Sequence, residues 1–241
     1  MRYTSIALLV VLLLSAQNTG FKKAQLRYPR VRTAFAEKEA LITKLLSDNS
    51  LKTEDLKVAV MAFKKEKTLE VWASNHNKYK LLRTYKFCSS SGTLGPKRQQ
   101  GDLQIPEGLY HIDRFNPASN FFLSLGINYP NACDRKMANG NPGGDIFIHG
   151  DCVTIGCIPI TDDKIKELYT LCVLAKDAGN EIDVQFYPFK MSDENMKRYS
   201  GNKHYSFWKE LQPFYEYFKE KKTLANFTTN AKGNYVIKVA E

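Results

Sequence analysis

Cys157 and His149 are the two side chains of this chain whose types and spacing point most directly to chemistry. Both lie in the stretch IFIHGDCVTIGCIPITDD, where an apolar run ends at His149. A thiolate attacks carbonyl carbons and an imidazole moves the proton, so the pair predicts a cysteine acyl-transfer site. Gly156 would allow close backbone approach to a substrate, and the N–H groups around Cys157 would stabilise an oxyanion.

The five cysteines of the chain allow a second interpretation of the same stretch. An odd number of cysteines in an exported protein favours a free, reactive thiol. His149, Cys152 and Cys157 could instead hold a metal ion, but they lack the paired C-x2-C spacing of a zinc site, so no metal is expected. Cys172 falls on the apolar stripe of a predicted helix, which favours burial.

The first residues of the chain have the pattern of an export signal. Arg2 precedes an apolar run over 6–14 and the small residues Ser15 and Ala16, which predicts a secretory signal over 1–16. An uncleaved anchor is the alternative. The protein is therefore expected to be exported to the periplasm or cell envelope, with membrane contact only through this segment.

The charge of the chain favours an anionic partner. Its net charge is +10, from 35 Lys and Arg against 25 Asp and Glu, which suits nucleic acid, lipid headgroups or a carboxylate-rich wall polymer. A basic surface without a specific partner explains the charge equally well. Export and the lack of an interleaved basic and aromatic motif argue against nucleic acid.

Hydrophobic periodicity predicts the elements that would position these residues. Apolar residues at helical spacing behind Pro29 predict an N-terminal helix ending near 48–50, and alternation from Lys57 predicts a β-hairpin. An aromatic helix that contains Pro213 is predicted in the C-terminal tail. Further strands are predicted over 79–87, 145–149, 182–186 and 235–239.

A strand before the reactive pair and a helix after it would hold the two groups. Phe147 and His149 should share one strand face. Thr161 and the two aspartates that follow it predict a helix start with an oxygen-bearing cap, and Gly179 predicts its end. The thiol and the ring would meet if the segment between them folds back.

The segment from His149 to Cys157 resembles the active-site signature of a known family. His149-Gly150 followed by Thr154-Ile155-Gly156-Cys157 is similar to the signature of the L,D-transpeptidase (YkuD-type) catalytic domain, in the subgroup with a short His-to-Cys interval. The stretches GDLQIPEGLYHI and FNPASNFFLSLGINYPNA resemble further parts of that family. The resemblance covers 57–189, and motifs occurring jointly in order are more specific than a lone Cys and His.

The resemblance implies a fold and a domain organisation. The fold would be α+β, a β-rich sandwich or curved mixed sheet with N-terminal and C-terminal helices and one helix after Cys157. The chain would divide into the signal, an N-terminal helical segment over 17–55, the catalytic domain over 56–190 and a C-terminal helical extension over 191–241.

The resemblance also implies roles for individual residues. Cys157 would be the nucleophile, His149 the proton carrier, Gly156 part of the oxyanion site and Thr154 a supporting hydroxyl. Gly150 is expected to contact substrate. No cofactor is expected.

Two positions depart from the family pattern. Ile155 stands where many members have a second His, and Pro159 where many have an Arg or Asn that follows the Cys. The sequence therefore leaves open which cation would hold a substrate carboxylate. Arg135 is the first candidate, and the others by charge are Lys136, Lys97 and Arg98.

The implied activity is acyl transfer on peptidoglycan stem peptides through a thioester, either cross-linking the wall or attaching an envelope protein to it. The same Cys and His could instead act as a hydrolase on peptidoglycan or protein–peptidoglycan linkages. An inactive wall-binding module and a metal-dependent hydrolase using His149 and Cys152 are more distant alternatives.

Overall fold

The computed structural model describes residues 20–76 and 78–238, so the predicted signal lies outside the described residues. The helices are α1 (Phe21–Gln25), α2 (Pro29–Asp48), α3 (Ala132–Met137), α4 (Asp162–Asp177), α5 (Asp193–Arg198) and α6 (Tyr205–Lys221). The strands are β1 (Lys57–Phe63), β2 (Thr68–Ser74), β3 (Lys80–Lys86), β4 (Gly108–Asn116), β5 (Ser124–Ile127), β6 (Phe147–His149), β7 (Ile158–Pro159), β8 (Ile182–Tyr187), β9 (Phe227–Thr229) and β10 (Tyr235–Ile237). Within these ranges, no helix combines the length and apolar character needed to cross a membrane.

Eight of the described strands form one mixed sheet in the order β3-β2-β1-β8-β4-β5-β6-β7, and β9 pairs with β10 separately. Strand β1 is antiparallel to β2 and parallel to β8, and β6 is parallel to β7. Helices α2 and α4 pack against each other on one side of the sheet. The predicted α+β class is confirmed, in its curved mixed-sheet form.

The sheet curls until its two edge strands approach each other. Cys88 follows strand β3 at one edge, and its N–H donates to the carbonyl of Pro159 in β7 at the other edge, at 3.0 Å. Cys88 also forms a disulfide with Cys152, with a Cα–Cα distance of 5.3 Å. The disulfide thereby links the end of β3 to the segment between His149 and Cys157.

Strand β1 is buried on both of its faces. The predicted face, with Val58 and Val60, enters the core shared with α2 and α4. Met61 and Phe63 on the opposite face enter a second core with Trp208 of α6. The C-terminal helix covers that second face, which explains why β1 reads as a near-continuous apolar run.

One local prediction needs correction, and one strand was missed. Helix α4 begins at Asp162 as predicted, but the Thr161 side chain makes no capping hydrogen bond and its backbone has a φ of 70°. The C-terminal tail also contains strand β9, which was not predicted. The hairpin β1–β2, helix α2, strand β8 and helix α6 are confirmed.

A buried ion pair ties the C-terminal helix to the loop before β4. Lys64 Nζ lies 3.0 Å from Glu107 Oε1, with both side chains almost fully buried, and donates to the carbonyls of Gly95 and Ile105. Trp208 of α6 donates from Nε1 to Glu107 Oε2 at 2.8 Å. This network fixes both ends of the loop over 95–105, whose residue 104 borders the segment before Cys157.

Candidate active site

Strands β6 and β7 place Cys157 and His149 on one face of the sheet. His149 pairs with Pro159 in the parallel register, so Cys157, two residues earlier, lies beside Phe147. Because side chains alternate along a strand, Cys157 shares the face of Phe147 and His149. Ile148 and Ile158 enter the core on the opposite face, as the sequence predicts for Ile148.

The thiol of Cys157 is half-buried and is held by backbone groups. The N–H of Phe147 donates to Sγ at 3.4 Å, and the thiol donates to the carbonyl of Asp145 at 3.7 Å. Burial raises the pKa of Cys157, the charge of Asp145 raises it further, and the Phe147 N–H and Lys97 lower it. The resting form at neutral pH is therefore the thiol, which needs a base to become a nucleophile.

The imidazole of His149 is held in the form that accepts a proton. Its exposed fraction is 1%, and its Nδ1 lies against the carbonyl of Gly150. A carbonyl oxygen can only accept, so Nδ1 carries the proton and Nε2 keeps its lone pair. Burial lowers the pKa of His149, which keeps the ring neutral near pH 7. This arrangement suits a general base.

Among the described residues, no hydrogen bond joins Cys157 to His149, because Sγ is directed to Asp145 and Phe147. Rotation about the Cα–Cβ bond of Cys157 would move Sγ along the shared face toward the ring. Catalytic hydrogen bonds are often long without substrate and tighten when it binds.

Thr154 closes the turn that carries Cys157. Its Oγ1 accepts the N–H groups of Gly156 at 3.2 Å and Cys157 at 2.9 Å, and donates to the carbonyl of Cys157 at 2.8 Å. Gly156 has a φ of 136°, a conformation that favours glycine. The two predicted oxyanion donors thus point at a hydroxyl, and an oxyanion would have to displace it.

Gly150 is a glycine because its surroundings leave no room for a side chain. A Cβ there would lie 2.4 Å from Asp162 Oδ1 and 2.8 Å from the carbonyl of Phe121. Its carbonyl orients His149. Its structural role is therefore to let α4 and the loop before β5 close on the imidazole, and its substrate contact stays a prediction.

The structure separates the candidate cations. Arg135 donates to the carbonyl of Pro130, Lys136 to carbonyls at the β9–β10 turn, and Arg98 is 3.4 Å from Asp134. Lys97 is the candidate whose charge acts on Cys157, and it pairs with Asp102 at 2.7 Å. Substrate binding by Arg135 has no support from these contacts.

Two contributors to the site, Phe121 and Arg114, were not predicted from sequence. Phe121 packs against the His149 ring in a tilted arrangement, with centroids 4.6 Å apart. Arg114 on β4 lies over the Phe147 ring at 4.9 Å and pairs with Asp145 at 2.8 Å. Phe121 falls within a motif that carries the family resemblance, but no local pattern indicates which ring it covers.

The disulfide removes the metal interpretation that used Cys152, because a disulfide sulfur is not a thiolate ligand. In the described part of the chain, no group of three or more His, Cys, Asp or Glu side chains is placed to hold a metal ion. The free cysteines there are Cys133 and Cys172, both buried, and Cys157.

We expect removal of the disulfide to destabilise the protein. The double variant Cys88→Ser/Cys152→Ser should lose about 2–4 kcal/mol in the free energy of unfolding, since the bond closes a loop of 64 residues. Urea titration measures the loss. Dithiothreitol should weaken the wild type by a similar amount and leave the variant unchanged, and equal unfolding midpoints for wild type with and without reductant would contradict the prediction.

The reactivity of Cys157 should follow the charges around it. Asp145→Asn should raise the rate of iodoacetamide alkylation at a fixed pH about two- to threefold, because removing a negative charge lowers the pKa of the thiol. Peptide mass analysis assigns the labelled cysteine across a pH series.

Asp113→Asn is the matched control, since Asp113 also pairs with Arg114 but does not act on Cys157. An equal rate change in both variants would show that the Asp145 charge is not the cause.

A curved mixed sheet with a half-buried thiol and a neutral imidazole on one face agrees with the L,D-transpeptidase class that the motifs predict. The family model for the L,D-transpeptidase catalytic domain (YkuD) matches residues 57–184. The chain belongs to this family, as its motifs predict.

One known relative, YafK, agrees with this assignment. YafK from Escherichia coli (strain K12), which is named as an L,D-transpeptidase on a provisional basis, is 39% identical over 183 residues, or 75% of this chain and 73% of YafK. The helical cell shape determining protein Pgp2 from Campylobacter jejuni superposes with a TM-score of 0.47 at 18% identity, covering 73% of each chain. Mycobacterium tuberculosis L,D-transpeptidase 1 gives 0.31 at 15% identity, covering 54% of this chain and 62% of that one. The two superpositions carry no functional argument.

Proposed function

We propose that this protein is a cysteine acyltransferase that acts on peptidoglycan stem peptides. The observation that carries the proposal is the placement of a half-buried free thiol, Cys157, on the same strand face as His149, whose Nε2 is held ready to accept a proton. Membership of the L,D-transpeptidase family supplies the substrate class.

The first half of the reaction forms a thioester. Nε2 of His149 takes the thiol proton, and Sγ of Cys157 attacks the carbonyl carbon of the diamino acid in a stem tetrapeptide. The tetrahedral oxyanion accepts hydrogen bonds from the N–H groups of Gly156 and Cys157. These N–H groups give up their hydrogen bonds to Thr154 Oγ1 when they bind the oxyanion. Its collapse breaks the amide bond, and the departing terminal D-residue takes its proton from His149.

The second half transfers the acyl group. An amine of a neighbouring stem peptide or envelope protein attacks the thioester carbonyl, loses a proton to His149 and forms the new amide. The thiolate of Cys157 leaves and is reprotonated. Water in place of the amine would give hydrolysis by the same steps, so acceptor positioning decides between transfer and hydrolysis.

The charge of the chain and its expected export fit a wall substrate. The net charge of +10 favours association with a carboxylate-rich polymer. Among the described residues, Lys97 is a cation whose charge lowers the pKa of Cys157, and we propose that it attracts a substrate carboxylate, a role for which Pro159 provides no side-chain donor. The segment over 1–16 would direct the protein to the periplasm or envelope.

The test is to incubate the protein with purified tetrapeptide fragments of peptidoglycan, with and without an added amine acceptor. Mass spectrometry then gives the masses of the products and of the intact protein. An acyl adduct on Cys157 and a new amide product that requires the acceptor support transfer. Release of the terminal D-residue without amide product would assign hydrolysis. If neither adduct nor product forms, the acyl-transfer proposal is wrong.

A further inference from the structure

Phe121 forms a cover over the imidazole of His149. The ring centroids are 4.6 Å apart and the planes differ by 31°, a partly stacked arrangement. Phe121 is 38% exposed, whereas His149 is 1% exposed. One aromatic side chain at the surface thus shields the base of the proposed reaction from water.

The segment that carries Phe121 is irregular and needs an external support. It connects β4 to β5, and its own contacts include the N–H of Phe121 donating to Ser119 Oγ at 3.1 Å. The next residue, Phe122, has a φ of 69°, which is unfavourable for a bulky side chain. Such a backbone persists only where its surroundings hold it.

Arg30 supplies that support from the N-terminal helix. Its Nη1 donates to the carbonyl of Ser119 and to that of Phe122 at 2.8 Å, so it brackets Phe121. Its guanidinium lies 5.7 Å from the centre of the Phe122 ring. A planar guanidinium, unlike a flexible ammonium, holds two acceptors in one fixed geometry.

Helix α2 is anchored independently of Arg30. Val31 and Phe35 are buried in the main core, and ion pairs join Lys38 to Asp163 and Glu37 to Lys166 across to α4. Arg30 therefore extends from a fixed helix onto a loop that lies beside the base. The helix precedes residues 57–184, which the family model matches.

We propose that Arg30 is a positioning residue: through it, the N-terminal helix fixes Phe121 over His149 and keeps the imidazole shielded and oriented for proton transfer from Cys157. The inference rests on the proposed function, since it gives His149 the role of base. It assigns a part in the reaction to a segment outside the matched catalytic domain.

The charges around the ring determine what loss of the cover does. Burial lowers the pKa of His149, and the hydrogen bond to the Gly150 carbonyl and the charge of Asp151 raise it by less. Asp162 of α4 packs beside Gly150, Cys157 shares the strand face, and Arg30 approaches from α2. Water reaching an uncovered ring would raise the pKa of His149, so the acid limb of the rate profile would move to higher pH.

The test compares Arg30→Lys, Phe121→Ala and the double variant in the full chain. NMR titration of the ring protons gives the pKa of His149, and a His149→Gln spectrum assigns its signals among the four histidines. Arg30→Lys keeps the positive charge, so a change in the histidine pKa would report lost geometry. Lys38→Gln is the control, because it breaks a contact of α2 that does not touch Phe121.

We expect Arg30→Lys and Phe121→Ala each to raise the pKa of His149 and to lower kcat about tenfold at mildly acidic pH, with KM nearly unchanged. The double variant should match Phe121→Ala alone, since both act through one contact. Lys38→Gln should match the wild type.

An unchanged pKa of His149 in Arg30→Lys, or additive shifts in the double variant, would overturn the inference. The NMR result does not depend on turnover, so it separates this inference from the proposed function. Absence of wall activity with the expected pKa pattern would contradict the function alone.

Discussion

Replacing Cys157 with alanine is expected to abolish the thioester adduct and to reduce turnover of tetrapeptide fragments by about 10⁴-fold or more. The physical reason is that Cys157 is a half-buried free thiol on the same strand face as His149, and no other described free cysteine is accessible. Intact-protein mass after incubation with substrate measures the adduct, and product analysis measures turnover.

Cys133→Ala and Cys172→Ala are the controls for this prediction. Burial raises the pKa of Cys133 to about 12 and raises that of Cys172 as well, so neither supplies a thiolate near neutral pH. Both variants should keep the Cys157 adduct once circular dichroism shows that they fold. An adduct that survives in Cys157→Ala would assign the chemistry to another residue.

Replacing His149 with glutamine should lower kcat by about 10²–10⁴-fold at neutral pH, the usual contribution of a general base. The thiol of Cys157 has a raised pKa, so without the ring little thiolate is present for attack. Ile155 stands where many family members have a second His, so the proposed mechanism has His149 as its base. A pH–rate series with wall fragments measures the loss.

Alkylation separates the role of His149 from a structural one. At high pH the thiolate forms without the imidazole, so iodoacetamide should label Cys157 at similar rates in the wild type and His149→Gln. Restored transfer at high pH would agree with this, because hydroxide then replaces the ring as proton acceptor. Equal kcat values in the wild type and the variant at neutral pH would remove His149 from the mechanism.

Local sequence patterns predicted the elements that local interactions determine. Helix α2 ends at Asp48, within the predicted range, because its apolar stripe and Pro29 lie in one contiguous stretch. The β1–β2 hairpin is confirmed for the same reason. Thr161 was predicted as a capping residue from its type, but its backbone has a φ of 70° and its side chain makes no capping hydrogen bond, which the residue type alone does not indicate.

By itself, the sequence determined the family, the α+β class and the identity of the proposed nucleophile and base. The reason is that the spacing of a motif within one segment can be recognised without knowing any tertiary contact. Only the tertiary structure decided how that segment is held. The disulfide of Cys88 spans 64 residues, and Arg30 reaches the carbonyl of Phe122 across 92. Such contacts form because the sheet curls and its helices pack, and periodicity along the chain carries no information about which distant residues then meet.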